Sequence, residues 1–409
     1  MRLDFLKRFL ATLLGFSSCQ GFASANYMEN IYIELALCSP ELMAREASIA
    51  AAEGLAATEK TKRLPTFSLS AKSQTLSDNT SETWMELRGN YTVASFGKFD
   101  ANESLAEQKL LVERIETEAT GTQVLGELLL KKNSIEKLSK DISSLDAVIA
   151  LQQKLLDRVD RRTKEALTSD ADRNAVYSRV VQNENKVRES KLQRDVLMSE
   201  IRDIACTDQL QDLSLDNLPT KKPIESILTT NFMNASLRSI DAKVQSKVQE
   251  MKVNDLSLRP DLDLVGAVPV SENNKSNRES SLGLEFNVSY GNLGRAEAER
   301  SKSLEKELMA LVRERSIRST QRVEQLLRLE QQIIALKNDL IPNQQVSLKA
   351  VKEKLNSKER LFKAGRVSLF ELLAAYDEVQ SAELFLNRLI SDLEEVKIRR
   401  AQSLDYLYR

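Results

Sequence analysis

Five apolar residues fall seven apart in the first half of the chain: Leu128, Ile135, Ile142, Ile149 and Leu156. Leu327, Ile334, Ile341, Leu348 and Leu355 repeat the pattern, each 199 residues after its counterpart. At the same offset Ser169 meets Ser368, Asp172 meets Glu371, Tyr177 meets Tyr376, Val180 meets Val379 and Glu184 meets Glu383. An echo this long duplicates an architectural unit rather than a short motif. A seven-residue apolar period on α-helices implies left-handed supercoiled packing.

Composition agrees with long helices rather than several ordinary globular domains. Charged residues make up 29% of the 409, aromatics 5%, and there are only 12 Gly and 7 Pro. The net charge is −1, with both signs interspersed, so no broad basic surface for nucleic acid is implied. The chain has no His, which removes His-based triads and imidazole acid–base chemistry. It shows no glycine-rich phosphate loop. The reading is of a protein that is not an enzyme, with no cofactor and no resident metal.

The N-terminus reads as a secretory signal over residues 1–25. Lys7 and Arg8 precede a short apolar run, and Ala23-Ser24-Ala25 fits small-x-small cleavage. A competing reading ends the signal at Cys19 as a lipoprotein. No later stretch approaches 18 uninterrupted apolar residues. Of the remaining cysteines, Cys38 and Cys206 could pair in an oxidising compartment; the alternative is two separate buried thiols.

Repeat 1 (26–222) and repeat 2 (223–409) share one order: helix, two strands, very long helix, break, returning helix. Ser39 and Pro40 mark a helix start in repeat 1, and the matching helix of repeat 2 is expected from about Ile224 to Leu258. Strands are expected at about 65–76 and 83–95, then 260–271 and 280–290. Phe67, Leu69 and Ala71, Met85, Leu87, Tyr91 and Val93, and Leu282, Leu284 and Phe286 alternate with polar residues. Runs of about 10–12 residues suit tilted bilayer strands. Four strands cannot close a membrane barrel, and lipid cannot satisfy an open edge. The pattern therefore points to one barrel shared among several chains.

Gly97-Lys98 and Gly294-Arg295 mark the exits into the long helices, about 101–165 and 296–363. The first would reach on the order of 95 Å at ~1.5 Å per residue. Pro342 predicts a kink or fresh start in the second. Both break at matched turns, 166–169 and 364–368. Gly365 can end a helix in the left-handed conformation. Ser169 and Ser368, each followed three residues later by an acid, Asp172 or Glu371, predict capping boxes on helices of about 170–204 and 369–408.

Ala364-Gly365-Arg366-Val367-Ser368-Leu369-Phe370-Glu371-Leu372-Leu373 resembles the TolC family of outer-membrane efflux and secretion channels. So do Leu37-Cys38-Ser39-Pro40, Arg63-Leu64-Pro65-Thr66-Phe67-Ser68-Leu69 and the Gly-basic pair after each strand hairpin. The resemblance implies a mainly α fold with a small β part, assembled as a homotrimer. Twelve strands would form a β-barrel in outer-membrane lipid, continued by a periplasmic α-helical barrel. Leu167, Thr168, Ser169, Gly365, Arg366, Val367 and Ser368 would lie at the periplasmic tip that contacts an adaptor (a membrane fusion protein). An inner-membrane ABC transporter or proton-driven pump would stand behind it. Asp172 and Glu371 would constrict the entrance. The chain departs from some members at Ala374 and Val367, where they carry a second acid and a basic residue.

The expected function is the exit duct of a tripartite efflux or type I secretion system, in the outer membrane of a Gram-negative bacterium. The alternative is a periplasmic coiled-coil adaptor or scaffold, which would show one helical hairpin and an inner-membrane anchor.

Overall fold

A computed structural model describes residues 39–75, 81–205, 234–273, 280–287 and 295–404. The signal segment, Cys19, and both Cys38 and Cys206 lie outside them.

Helix α1 (Pro40–Thr61) starts where the Ser-Pro pair predicts. Ser39 is extended, and its carbonyl accepts the Met43 amide at 3.0 Å, but its hydroxyl caps nothing. Strands β1 (Thr66–Thr75) and β2 (Ser81–Ala94) follow, then α2 (Lys98–Lys164), 67 residues long, and the returning α3 (Asp170–Ala205). The second repeat gives α4 (Ala235–Ser257), β3 (Asp261–Asn273), β4 (Ser281–Asn287) and α5 (Arg295–Ala335). After a π-helical turn, Leu336–Leu340, come α6 (Ile341–Lys363) and α7 (Leu369–Ser403).

Helix α4 begins at Ala235, where the Asn234 side chain accepts the Leu237 amide at 2.9 Å and caps it; the expected start near Ile224 lies outside the described residues. Of the two outcomes expected at Pro342, a kink or a fresh start, the fresh start is found: α6 begins at Ile341, with the proline in its first turn. The turn before it widens so that the Ile341 amide bonds Leu336 O, five residues back. That π turn accommodates a ring that has no N–H and would crowd the carbonyl four residues earlier.

All four strands form one antiparallel sheet in the order β1-β2-β3-β4, so the hairpins of the two repeats join through β2 and β3. Register places Leu69 opposite Leu87, Leu264 opposite both Tyr91 and Leu284, and Leu262 opposite Phe286. Because side chains alternate, these residues share one face with Phe67, Met85, Val268 and Leu282. Nearly all of that face is bare, with Leu282 at 78% exposure. The other face carries Ser68, Arg88, Asn90, Thr92, Asp263 and Glu285. Midway, Gly89 pairs with Gly266. A Cβ on Gly89 would stand 3.2 Å from the Phe67 ring, which lies over it.

The sheet is tied to the helices by Lys98, whose Nζ meets Asp261 Oδ2 at 2.7 Å. Helix α2 is the spine. Near the sheet, α1 runs antiparallel along it through Arg63–Asp100 (2.5 Å), Glu53–Arg114 (2.9 Å) and Arg45–Glu116 (2.9 Å). Helix α4 joins it through Arg238–Glu118 and Lys243–Glu116, both 2.5 Å. Further along, α3 packs on α2 through Ile142, Leu145, Ile149, Val180 and Val187. At the far end Leu155, Val159, Val176, Leu355, Leu372 and Tyr376 form a four-helix core from both repeats.

The repeats are alike in sequence but unlike in burial. Leu128 of α2 is buried whereas its counterpart Leu327 of α5 is exposed, and Ile135 is half-buried whereas its counterpart Ile334 is exposed. Among the described residues no helix is long and apolar enough to cross a membrane.

Candidate functional site

The far end of the two hairpins carries every sequence-predicted tip residue. Each long helix ends in the same hydrogen-bonded turn. In the first, Ala166 N–H donates to Thr163 O at 2.9 Å and Leu167 N–H to Arg162 O at 2.8 Å. In the second, Gly365 N–H donates to Phe362 O at 3.0 Å and Arg366 N–H to Leu361 O at 2.9 Å. This is the Schellman pattern, which needs a left-handed residue at its centre. Gly365 supplies it at φ 71°, and Ala166 adopts it at φ 56° despite its Cβ. The sequence reading recognised Gly365 and missed Ala166, which gives no compositional sign of a left-handed turn.

Beyond the turns, the caps form by half. Ser169 Oγ accepts the Asp172 amide at 3.2 Å, and Ser368 Oγ accepts the Glu371 amide at 3.3 Å. The reciprocal arm of a capping box is replaced in both. The Asp172 carboxylate accepts from the Ser169 hydroxyl itself at 2.9 Å. The Glu371 carboxylate instead accepts from Lys358 across the hairpin.

Each hairpin is clasped by an ion pair spanning 13 residues. In the first, Arg173 Nε meets Asp160 Oδ1 at 2.6 Å. In the second, Lys358 meets Glu371, so the signs are reversed. The hydrogen bond and charge of Lys358 hold the Glu371 carboxyl below the usual carboxylate range. Its equal spacing about the turn was the available signal for Lys358, visible only once the hairpin's centre is known.

Leu167, Ser169, Gly365, Arg366 and Ser368 are exposed at the two turns, while Thr168 and Val367 are half-buried. Behind them, Tyr376 donates to Glu359 Oε1 at 2.6 Å. Burial, reinforced by that carboxylate, pushes its phenol up. A cavity of about 220 Å³ beside it is lined by Leu151, Lys154, Arg158, Glu359, Phe362 and Tyr376. Among the described residues no group of His, Cys, Asp or Glu could hold a metal ion.

A bare apolar β-face at one end, a long helical spine and paired turns at the other define the fold of outer-membrane channel proteins. Solved structures share it over most of their length. The Campylobacter jejuni CmeC outer membrane channel matches with a TM-score of 0.78 at 13% identity, covering 92% of this chain and 85% of that one. The outer membrane protein VceC of Vibrio cholerae matches at 0.76 and 14%, covering 93% and 96%. The open state of the Neisseria gonorrhoeae MtrE outer membrane channel matches at 0.76 and 13%, covering 92% and 88%. No protein-family model and no curated protein matches the chain by sequence.

Proposed function

We propose that the chain is a passive exit duct of the outer membrane of a Gram-negative bacterium, assembled as a homotrimer. The observation that carries this reading is the sheet: one face apolar and bare, with β1 and β4 as open edges. In water that face would drive aggregation, and in lipid the open edges would be intolerable. Both problems vanish if β4 of one copy pairs with β1 of the next and the ring closes. Twelve strands from three copies make such a barrel, with Arg88, Asp263 and Glu285 on its inner face. Helix α2, roughly 100 Å long at ~1.5 Å per residue, would carry the duct through the periplasm.

The internal repeat supports the same assembly. Within one chain, α7 lies against α2 through Asn133–Ser391 and Asn387–Asp141. Helices α3 and α5 are the repeat counterparts of α7 and α2, and their corresponding surfaces are exposed. A neighbouring copy placing its α3 on this α5 completes the ring with six similar seams. The turns at the periplasmic end would meet the adaptor and, behind it, an ABC transporter or proton-driven pump. Energy and cargo, small molecules or secreted protein, would come through those partners, because the sequence shows no glycine-rich phosphate loop.

Membrane fractionation followed by planar-bilayer recording of the purified full-length protein tests this. A heat-sensitive trimer in outer membranes that conducts ions is expected. A soluble monomer that leaves bilayers silent would refute it and favour the periplasmic adaptor or scaffold.

A further inference from the structure

Between two apolar clusters the helical core holds a layer of three amides. Gln152 of α2, Asn183 of α3 and Gln380 of α7 are 0%, 3% and 4% exposed. Asn183 Nδ2 donates to Gln152 Oε1 at 3.0 Å, and Gln380 Nε2 donates to Asn183 Oδ1 at 3.1 Å. Gln152 Nε2 reaches no protein acceptor among the described residues. Toward the tip lie Leu155, Val159, Val176 and Leu373; on the other side lie Leu145, Ile149 and Val187.

Stability does not explain this layer. Buried amides add little net stability even when paired. Apolar residues stand at the matching repeat positions: 199 residues away, the counterparts are Val351, Ala382 and Val181, all half-buried. What a polar layer does well in a helical seam is fix register, because sliding strands each amide against apolar neighbours. Gln380 lies between apolar contacts of α7 on both sides, with Leu384 packed against the Ile142–Val187 cluster beyond it. Leu369, Leu373 and Tyr376 are apolar tip contacts. Beyond Gln380, α7 meets α2 through Asn387 and Ser391.

We propose that the Gln152–Asn183–Gln380 layer is a register latch between the two hairpins of a protomer. It holds the α6–α7 tip segment against α2–α3 in the observed arrangement and must break when that segment shifts. The inference rests on the channel reading and adds the place where tip movement is resisted.

The test compares wild type with the Gln152→Leu/Asn183→Leu/Gln380→Leu variant of the full-length trimer in planar bilayers. The variant is expected to keep or raise its heat stability while its spontaneous open fraction rises roughly tenfold, the equilibrium factor of about one net hydrogen bond. An unchanged open fraction overturns the latch, whatever the stability. If the triple variant does not assemble, Gln380→Leu alone is read by hydrogen exchange over residues 369–379: faster exchange there supports the latch, and unchanged exchange overturns it. A silent wild type removes the channel reading and the latch together. A conducting wild type with an unaltered variant removes the latch alone.

Discussion

Tyr177 and Tyr376 occupy the same position of the two repeats, yet Tyr376 is 4% exposed and Tyr177 is 55% exposed. The covered one sits among α2, α6 and α7; the other stands on the outer side of α3, more than half exposed. Quasi-equivalence turns this asymmetry into a distance prediction. Asn133 Nδ2 meets Ser391 Oγ at 3.1 Å within the chain, and the repeat counterparts of these residues are Gln332 and Leu192, both exposed. A Leu192→Cys/Gln332→Cys variant should therefore crosslink copies into covalent trimers under mild oxidation, visible on a denaturing gel. Crosslinking no better than that of either single variant would remove the six-seam arrangement.

Lys358 changes what Glu371 could do at the proposed entrance. Three bare carboxylates around a narrow opening would favour cations, but each is already matched by a lysine on the same hairpin. Glu371→Gln leaves that lysine unmatched and should shift the reversal potential toward anion selectivity. Lys358→Gln leaves the carboxylate unmatched and should shift the reversal potential toward cation selectivity. Bilayer recordings in a salt gradient check both. A large effect of Glu371→Gln alone, with none from Lys358→Gln, would contradict the pairing.

Glu116 is where α1 and α4 are pinned to α2. It accepts from Arg45 at 2.9 Å and Lys243 at 2.5 Å. Burial pushes its carboxyl up, but Lys243, with Arg45, outweighs this and leaves it below the ordinary carboxylate value of 4.5. Its folded pKa is depressed, so its contribution to stability is present above the unfolded value and is lost as pH falls through the folded one. The wild type should lose more heat stability than Glu116→Gln on acidification from pH 6 to about pH 3. Parallel losses in thermal scans would mean the cluster adds nothing.

Much of this architecture is legible in the chain because it rests on periodicity. Alternation marks β1, β2 and β4, and the seven-residue echo marks α2 and α5. Pro65 and Gly97 bracket the first hairpin. Less legible are features that depend on what faces what. Lys358 and Glu371 look like two more charges on solvated helices until the Gly365 turn sets them opposite each other. Gln152 reads as a polar lapse in the heptad until Asn183 and Gln380 arrive beside it from two other helices. The unequal burial of Leu128 and Leu327 has no sequence signal at all, since both carry the same repeat.

The Schellman turns differ by one methyl group. Ala166 and Gly365 hold the same left-handed backbone, which costs an L-residue about 1–2 kcal/mol. Gly365→Ala should lower the stability of the second tip by roughly that amount, since no other atom lies within 4 Å of the added Cβ and only the backbone objects. Ala166→Gly should stabilise the first tip, by less, because glycine loses more freedom on folding. Limited proteolysis at each turn reports the local effect, and opposite signs for the two substitutions are expected.

Gly126 records the close approach of α7 to α2. A Cβ there would fall 1.5 Å from Nε2 and 2.0 Å from Cδ of Gln402. Gly126→Ala should destabilise the protein by about 1–3 kcal/mol through overpacking, even though alanine is the better helix former. The obstacle is one long side chain rather than backbone, so Gly126→Ala/Gln402→Ala should recover the loss and add up to about 1 kcal/mol of helix propensity over Gln402→Ala alone. A double-mutant cycle on the thermal midpoint measures the coupling. Additivity of the two substitutions would show that Gln402 moves aside freely and that the contact places no constraint on α7.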